Sequence, residues 1–145
     1  MAGFSDTFEN DVCKLIFNAV AIGNIADNAA SAPLTNLWCA LHTADPADSG
    51  TMGTNEGGYA QYARVSVART TGGWVVTNNS VSPVANIDFP QNTSTSTGTF
   101  THASIGVTSA STAAKIIAAG TISPNINYSQ NVTPRLTTAS SFTLD

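Results

Sequence analysis

The chain carries little charge of either sign. Only 10% of its 145 residues are charged, with five Lys and Arg against nine Asp and Glu, whereas soluble globular proteins usually carry about 25%. A nucleic-acid-binding protein needs clustered Lys and Arg to neutralise phosphates, and here the few basic residues are scattered while the net charge is −4. The sequence therefore predicts no nucleic-acid partner.

Long hydrophobic runs are also missing. No segment approaches the 18 consecutive apolar residues of a membrane-spanning helix. The chain opens with MAGFSDTFEND, which carries acidic residues where a secretory signal would carry positive charge. We expect no membrane partner and no export through a signal peptide.

Cysteine is scarce. Cys13 and Cys39 are too few for a disulfide scaffold, and they do not form a CxxC pair. The sequence predicts buried, reduced thiols. A single disulfide between a helix and a strand is the alternative.

Motifs for catalysis and for metal or cofactor binding are absent. The two histidines, His42 and His102, lie in strand-like runs with no GxSxG nucleophile, and no HExxH or paired CxxC occurs. Asp45 and Asp48 lack the spacing of a calcium loop, so we expect them to satisfy turn backbone. The Gly-rich segment 55–59 lacks the Lys and the helix of a phosphate site. The sequence predicts no enzyme, no cofactor and no metal.

Hydroxyl and amide residues are abundant instead, and Thr alone occurs 20 times. A surface of this kind costs less to desolvate than a charged one, because the centres of protein interfaces are depleted in charge. It favours either a surface that a partner covers or exposed strand faces decorated with β-branched Thr.

The N-terminus has the pattern of an amphipathic helix. Asp6 is the expected N-cap, with Glu9 three residues later. Apolar residues then recur at helical spacing: Phe8, Val12, Leu15, Ile16 and Val20. Such a helix either docks on the core of its own domain or projects as an arm that binds a partner.

The rest of the chain reads as short strands between Gly, Pro and Asn breakers. The predicted strands are 37–43, 62–70, 74–77, 85–89, 99–108, 115–121 and 141–144. Segment 111–120 is Ala-rich and would also suit a helix, although its flanks favour a strand. We predict an all-β fold, a single β-sandwich or jelly roll with an N-terminal helix, divided into residues 1–36 and 37–145 within one domain.

Two polar segments are candidate contact loops. About twenty residues, Thr43–Gln61, join two alternating strands, and a loop of that length is usually functional or disordered. It indicates a partner-binding loop or a crossover between sheets. The polar run Gln91–Thr99 indicates a flexible tip or a segment that only a partner orders. The aromatic residues could form a glycan-stacking platform, but core packing is their commoner role.

Several blocks resemble a known family. They are IADNAASAPLTNLWCALHTADPADSG, YARVSVART, GWVV, IDFP, THASIG and NVTPRLTT. In this order they resemble small virion proteins of tailed bacteriophages, above all capsid cement (decoration) proteins with a jelly-roll fold. LHTADP followed by YARV is the most specific part. Some relatives are instead known as tail-fibre proteins.

The resemblance implies a structural protein made in the host cytoplasm and carried on the capsid outer surface. It also implies a homo-oligomer that stabilises the head by bridging subunits of the major capsid protein. The alternative is a tail-tip or tail-fibre adhesin that binds a host surface glycan. The predicted contact residues are Phe4, Phe8, Asp45, Asp48, Met52, Glu56, Tyr59, Asn92 and Thr95.

Overall fold

A computed structural model describes residues 6–22 and 33–143. One helix precedes a series of short strands within these ranges. The elements are α1 (Asp6–Phe17), β1 (Asn36–His42), β2 (Val65–Ala68), β3 (Trp74–Thr77), β4 (Ser80–Pro83), β5 (Ile87–Asp88), β6 (Gly98–Gly106), β7 (Ile116–Tyr128), β8 (Arg135–Leu136) and β9 (Phe142–Thr143). All the strand pairs with a defined register are antiparallel. The predicted all-β class with an N-terminal helix is confirmed.

The chain forms two compact units. The first unit comprises residues 1–36, 67–86 and 137–145, and the second unit comprises residues 37–66 and 87–136. The division into residues 1–36 and 37–145 within a single domain stays a prediction.

In the first unit, α1 packs on the hairpin of β3 and β4. Among the helix side chains that the structure describes, Glu9, Cys13 and Phe17 are buried, and they follow one another at four-residue spacing on one helix face. The Phe17 ring meets the Trp74 ring edge to face at a centroid distance of 5.2 Å. The helix is therefore part of the core of its own unit, as the docked alternative predicts.

The apolar face predicted for the helix is only partly correct. Val12, Leu15 and Ile16 are half-buried, while Val20 lies beyond the end of α1 and is 47% exposed. Just beyond the end of the helix at Phe17, Ala19 has a left-handed φ of 57°. The Arg69 guanidinium satisfies two of the last carbonyl groups, with Nη2 donating to Leu15 O and Nε to Ile16 O, both at 2.5 Å.

The hairpin of β3 and β4 contains a strand that the sequence pattern did not reveal. Thr77 pairs with Ser80, so Asn78 and Asn79 form a two-residue turn, and Asn78 has a φ of 54°. Asn tolerates this left-handed conformation better than most residues. The two asparagines therefore join paired strands, where we expected them only to separate one strand from the next.

In the second unit, β1, β6 and β7 lie side by side in a sheet with the order β2-β1-β6-β7. β6 is the central partner: His102 faces His42 on β1 and Thr121 on β7. A short pair, β5 with β8, aligns Ile87 with Leu136. We did not predict β8, because Pro134 directly precedes it.

Strand β7 is longer than predicted and continues through Pro124, a residue type that usually interrupts strands. Phe100 pairs with Ile126 and His102 with Thr121, so residues 122–125 bulge out opposite Thr101 alone. Proline is tolerated here because β7 is an edge strand and because bulged residues need not donate to the ladder.

Candidate functional site

Hydrogen bonds hold the long Asp45–Tyr59 loop without regular secondary structure. Asp45 Oδ1 accepts from the Ala47 amide at 2.8 Å, as predicted for a turn aspartate. Asn55 Nδ2 donates to Asp45 O at 3.0 Å, and Asn55 O accepts from the Thr43 amide at 2.9 Å. The loop is therefore shaped by hydrogen bonds from both its side chains and its backbone.

The middle of this loop is tied to the segment that precedes β7. Thr51 Oγ1 donates to Thr112 O at 2.6 Å, and the Met52 amide donates to Ala114 O at 2.9 Å. The Gly53 amide donates to Thr112 O at 3.0 Å, and a Cβ on Gly53 would lie 2.6 Å from that oxygen. Only glycine permits this close approach.

A groove of about 460 Å³ lies between the start of the loop and β7. Asp45, Asp48, His102 and Lys115 line it together with Ile116–Thr121. Within residues 6–22 and 33–143, the side chains of Asp48 and Lys115 make no hydrogen bond or ion pair. The groove thus offers a carboxylate and an ammonium group to a partner, and it is the candidate functional site.

A buried ion pair braces the far end of the loop. Arg64 Nε and Nη2 donate to the two carboxylate oxygens of Glu56, each at 2.6 Å. Arg64 Nη1 donates to Thr108 O at 2.9 Å and to Ser111 O at 3.1 Å. The hydrogen bond to Glu56 raises the pKa of Arg64, which keeps the guanidinium charged. Because its donors are engaged inside the protein, this arginine braces two chain segments.

His42 and Ser104 form a fully buried hydrogen-bonded pair. His42 Nε2 lies 2.7 Å from Ser104 Oγ, and Nδ1 lies 2.8 Å from Thr54 O. A carbonyl only accepts, so Nδ1 carries the proton and Ser104 donates to Nε2. Both residues are 0% exposed. A substrate has no access to this pair, so the geometry resembles a nucleophile–base dyad but serves to join the loop to the sheet.

Acid should weaken the fold through His42. Burial lowers the pKa of His42 below 6.5, so the unfolded chain binds a proton at a pH where the folded chain does not. The free energy of unfolding is then at its full value above about pH 6.5 and falls below it, by at most about 1.4 kcal/mol per pH unit. Urea unfolding between pH 5.5 and 8 measures this slope. The slope should vanish in His42→Asn and persist in His102→Asn, and an unchanged slope in His42→Asn would contradict the assignment.

Five of the six aromatic residues of the second unit pack against one another, and the sixth, Trp38, packs against the Met52 cluster. Phe100 lies 4.9 Å from Tyr128, 6.0 Å from Tyr62 and 6.3 Å from Tyr59, measured between ring centroids. Tyr62 also stacks on Phe89 at 6.0 Å. Burial raises the pKa of Tyr59 to about 12, so its hydroxyl stays protonated and donates to a backbone carbonyl. These five rings form a core, so they are not arranged as a flat platform for stacking a sugar.

The predicted contact residues have different surroundings. Asp45 and Asp48 are exposed at the groove, and Thr95 is exposed elsewhere. Glu56 and Tyr59 are engaged in the contacts described above. Phe8 belongs to α1, and Phe4 lies outside the described residues. Their contact with another protein stays a prediction.

Met52 and Asn92, also predicted as contact residues, are 0% exposed. Met52 packs with Ala40 and Ala114 beneath the loop. A side chain buried in this way can affect a partner only through the shape of the loop that it holds.

Asn92 explains why the polar run Gln91–Thr99 is ordered. Its Nδ2 donates to Ser96 O at 2.8 Å, and its Oδ1 accepts from the Ser94 hydroxyl at 2.7 Å. Its amide donates to Val132 O at 2.9 Å, and its carbonyl accepts from the Asn131 amide at 2.7 Å. The run needs no partner to take its shape.

Both thiols are free and buried, as predicted. Burial raises the pKa of the Cys39 thiol to about 12, which removes the reactive thiolate at neutral pH. The described ranges contain no cluster of three metal-binding side chains. No helix in those ranges is long and apolar enough to cross a membrane.

Sequence reasoning missed part of the groove. It treated His102 and Lys115 as ordinary strand residues, since no motif joins them to Asp45. The register of β6 with β7 brings His102 and Thr121 together, and the hydrogen bonds from residues 51–53 bring the loop to Lys115. The only indication of the groove in the sequence was that the loop carries acidic residues and a distant segment carries a lysine.

A family model described as "Podophage GP4 fiber I protein gp80" matches residues 3–141 of the chain. A search of curated proteins finds no match.

Proposed function

The chain belongs to the family described as podophage GP4 fiber I protein gp80, and from this premise we propose that it is a subunit of the phage fibre that works by binding. It is a structural protein of a bacteriophage virion. The finer proposal, a fibre subunit, follows the family description, which names a fibre.

The groove beside β7 is the observation that carries the proposal. It is open, and its Asp48 and Lys115 side chains have no partner among the described residues. The Ser104–His42 pair and the aromatic rings, by contrast, are engaged in the interior. The second unit therefore presents a surface suited to binding, while its Ser104–His42 pair and its five packed aromatic rings lie in the interior.

The capsid cement function has less support than the fibre function. It would require the chain to bridge subunits of the major capsid protein on the outside of the head. The resemblance between blocks such as LHTADP and cement proteins favours that function, whereas the family description favours a fibre. Both functions rely on protein binding and on a self-associating chain.

Adhesion to a host surface glycan is a second candidate. The groove favours it, because Asp48 and Lys115 supply an acceptor and donors for sugar hydroxyl groups. The lack of an aromatic residue in the lining of the groove counts against it, since sugars commonly stack on aromatic rings. Such an adhesin would lie at the far end of the fibre.

Gold labelling of intact virions tests the proposed function. Antibodies raised against the purified chain should mark the fibre in electron micrographs, while a control serum should leave both fibre and head unmarked. Label at the far end of the fibre would support adhesion, and label along its length would support an assembly role. Label spread over the head in hundreds of copies would overturn the proposal and favour the cement function.

A further inference from the structure

The outer edge of β7 has no strand beside it in the described part of the chain. β7 is the last strand in the order β2-β1-β6-β7 and pairs only with β6. Backbone amide and carbonyl groups along such an edge are left without ladder partners and can pair with a strand from another chain.

The first half of this edge lacks the features that usually prevent pairing. Residues Ile116–Thr121 read IIAAGT, with no charge and no proline. Nothing lies within 4 Å of the position that a Cβ on Gly120 would take. Pro124 and the bulge at residues 122–125 protect only the second half. The edge is therefore open over six residues and closed beyond them.

Opposite charges lie at the two ends of this open run. Lys115 directly precedes Ile116. Asp45 lies near the other end of the run. It follows Thr43, whose carbonyl accepts a hydrogen bond from Thr101 Oγ1 at 3.1 Å, and Thr101 adjoins His102, which pairs with Thr121. Asp48 lines the same groove. One end of the run is thus basic, and the other lies near acidic side chains.

We propose that Ile116–Thr121 pairs in antiparallel fashion with the same six residues of a second copy of the chain. Ile116 of one copy would then face Thr121 of the other, with Ala118 facing Ala119 at the two-fold axis. Lys115 of each copy would extend past Thr121 of its neighbour toward the acidic side of that neighbour's groove. The charge pair forms twice, as a self-complementary two-fold interface requires.

The charge pattern favours a second copy over an unrelated strand. A parallel arrangement of the two edges would place Lys115 beside Lys115, and the repulsion would oppose pairing. In the antiparallel arrangement, the Lys115 of each copy lies on the acidic side of the other copy, so both ends of the run make a favourable charge contact. The bulge then stops the contact after six residues, so the register cannot slide. The interface is closed and ends at a dimer.

Sedimentation equilibrium and light scattering on the purified chain test the pairing. The wild-type protein should form a dimer of twice its 14.9 kDa mass. Ala119→Lys should yield a monomer, because Ala119 is exposed in the middle of the open run and a charged lysine at that point opposes the pairing of two edge strands. Ala139→Lys, at an exposed alanine in a turn of the first unit, is the matched control and should remain a dimer.

Charge reversal gives a second test that does not depend on Ala119→Lys folding. Lys115→Glu should weaken the dimer roughly tenfold. Adding Asp45→Lys, which reverses the acidic residue near the Thr121 end of the run, should restore most of the affinity. Amide exchange in residues 116–121 should also slow as the protein concentration rises. The proposed pairing would be overturned if the wild type were a monomer, or if neither Ala119→Lys nor Lys115→Glu weakened the dimer. The labelling of the virion would be unaffected by that result.

Discussion

Arg64→Met is expected to lower the free energy of unfolding by about 3–5 kcal/mol. The Arg64 and Glu56 side chains are only 5% and 13% exposed, and two short hydrogen bonds join them. Removing the guanidinium leaves the Glu56 carboxylate buried without its partner, and the carbonyl groups of Thr108 and Ser111 lose their donor. Urea unfolding at neutral pH measures the change.

An exposed ion pair of the same geometry is the control. Arg135 binds both carboxylate oxygens of Asp88, but the two side chains are 49% and 47% exposed. Arg135→Met should change stability little, because water solvates the remaining carboxylate. The double change Arg64→Met with Glu56→Met should cost less than Arg64→Met alone, since no buried charge remains. Equal losses for Arg64→Met and Arg135→Met would contradict this account.

Phe100→Ala is expected to lower the free energy of unfolding by about 3–5 kcal/mol. Phe100 is fully buried at the centre of the aromatic cluster and touches the rings of Tyr59, Tyr62 and Tyr128. Truncation leaves a cavity and removes three ring contacts. Urea unfolding measures the loss, and the near-ultraviolet circular dichroism of the three tyrosines should weaken in the folded protein.

Two control variants test this interpretation. Phe100→Leu keeps much of the volume and should cost clearly less than Phe100→Ala. Phe142→Ala makes the same change at a half-buried residue of β9 in the first unit, so its cost should also be smaller. If Phe142→Ala were as damaging as Phe100→Ala, the cluster would not be the centre of the core.

Much of the fold could be predicted because it depends on local patterns. The alternation of residues around Leu37–Leu41 located β1, and Trp74–Thr77 matched β3 in both bounds. The helix begins at Asp6, close to the start that the sequence pattern predicts. In each case the signal lies within a few residues of the element that it predicts.

The errors arise where distant residues decide the structure. The last carbonyl groups of the helix are satisfied by Arg69, which lies over fifty residues later in the sequence. β7 continues through Pro124 because it happens to be at the edge of its sheet. Neither fact is encoded near the residues concerned, so local pattern reading could not find them.

The candidate site was only half predictable for the same reason. Asp45 and Asp48 stood out in a long polar loop, but the opposite wall of the groove comes from β7 and Lys115. The loop reaches that wall through backbone bonds at Met52 and Gly53. Such bonds leave almost no trace in side-chain sequence, apart from a glycine where two chain segments approach closely.

The anchoring of the loop also sets an order of folding. Thr51 and its acceptor Thr112 are 61 residues apart in sequence, and ring closure over such a distance is slow compared with the formation of a hairpin. On a ribosome, β1 and the loop emerge well before residues 112–114 are made. The groove therefore cannot close before residues 112–114 have been made.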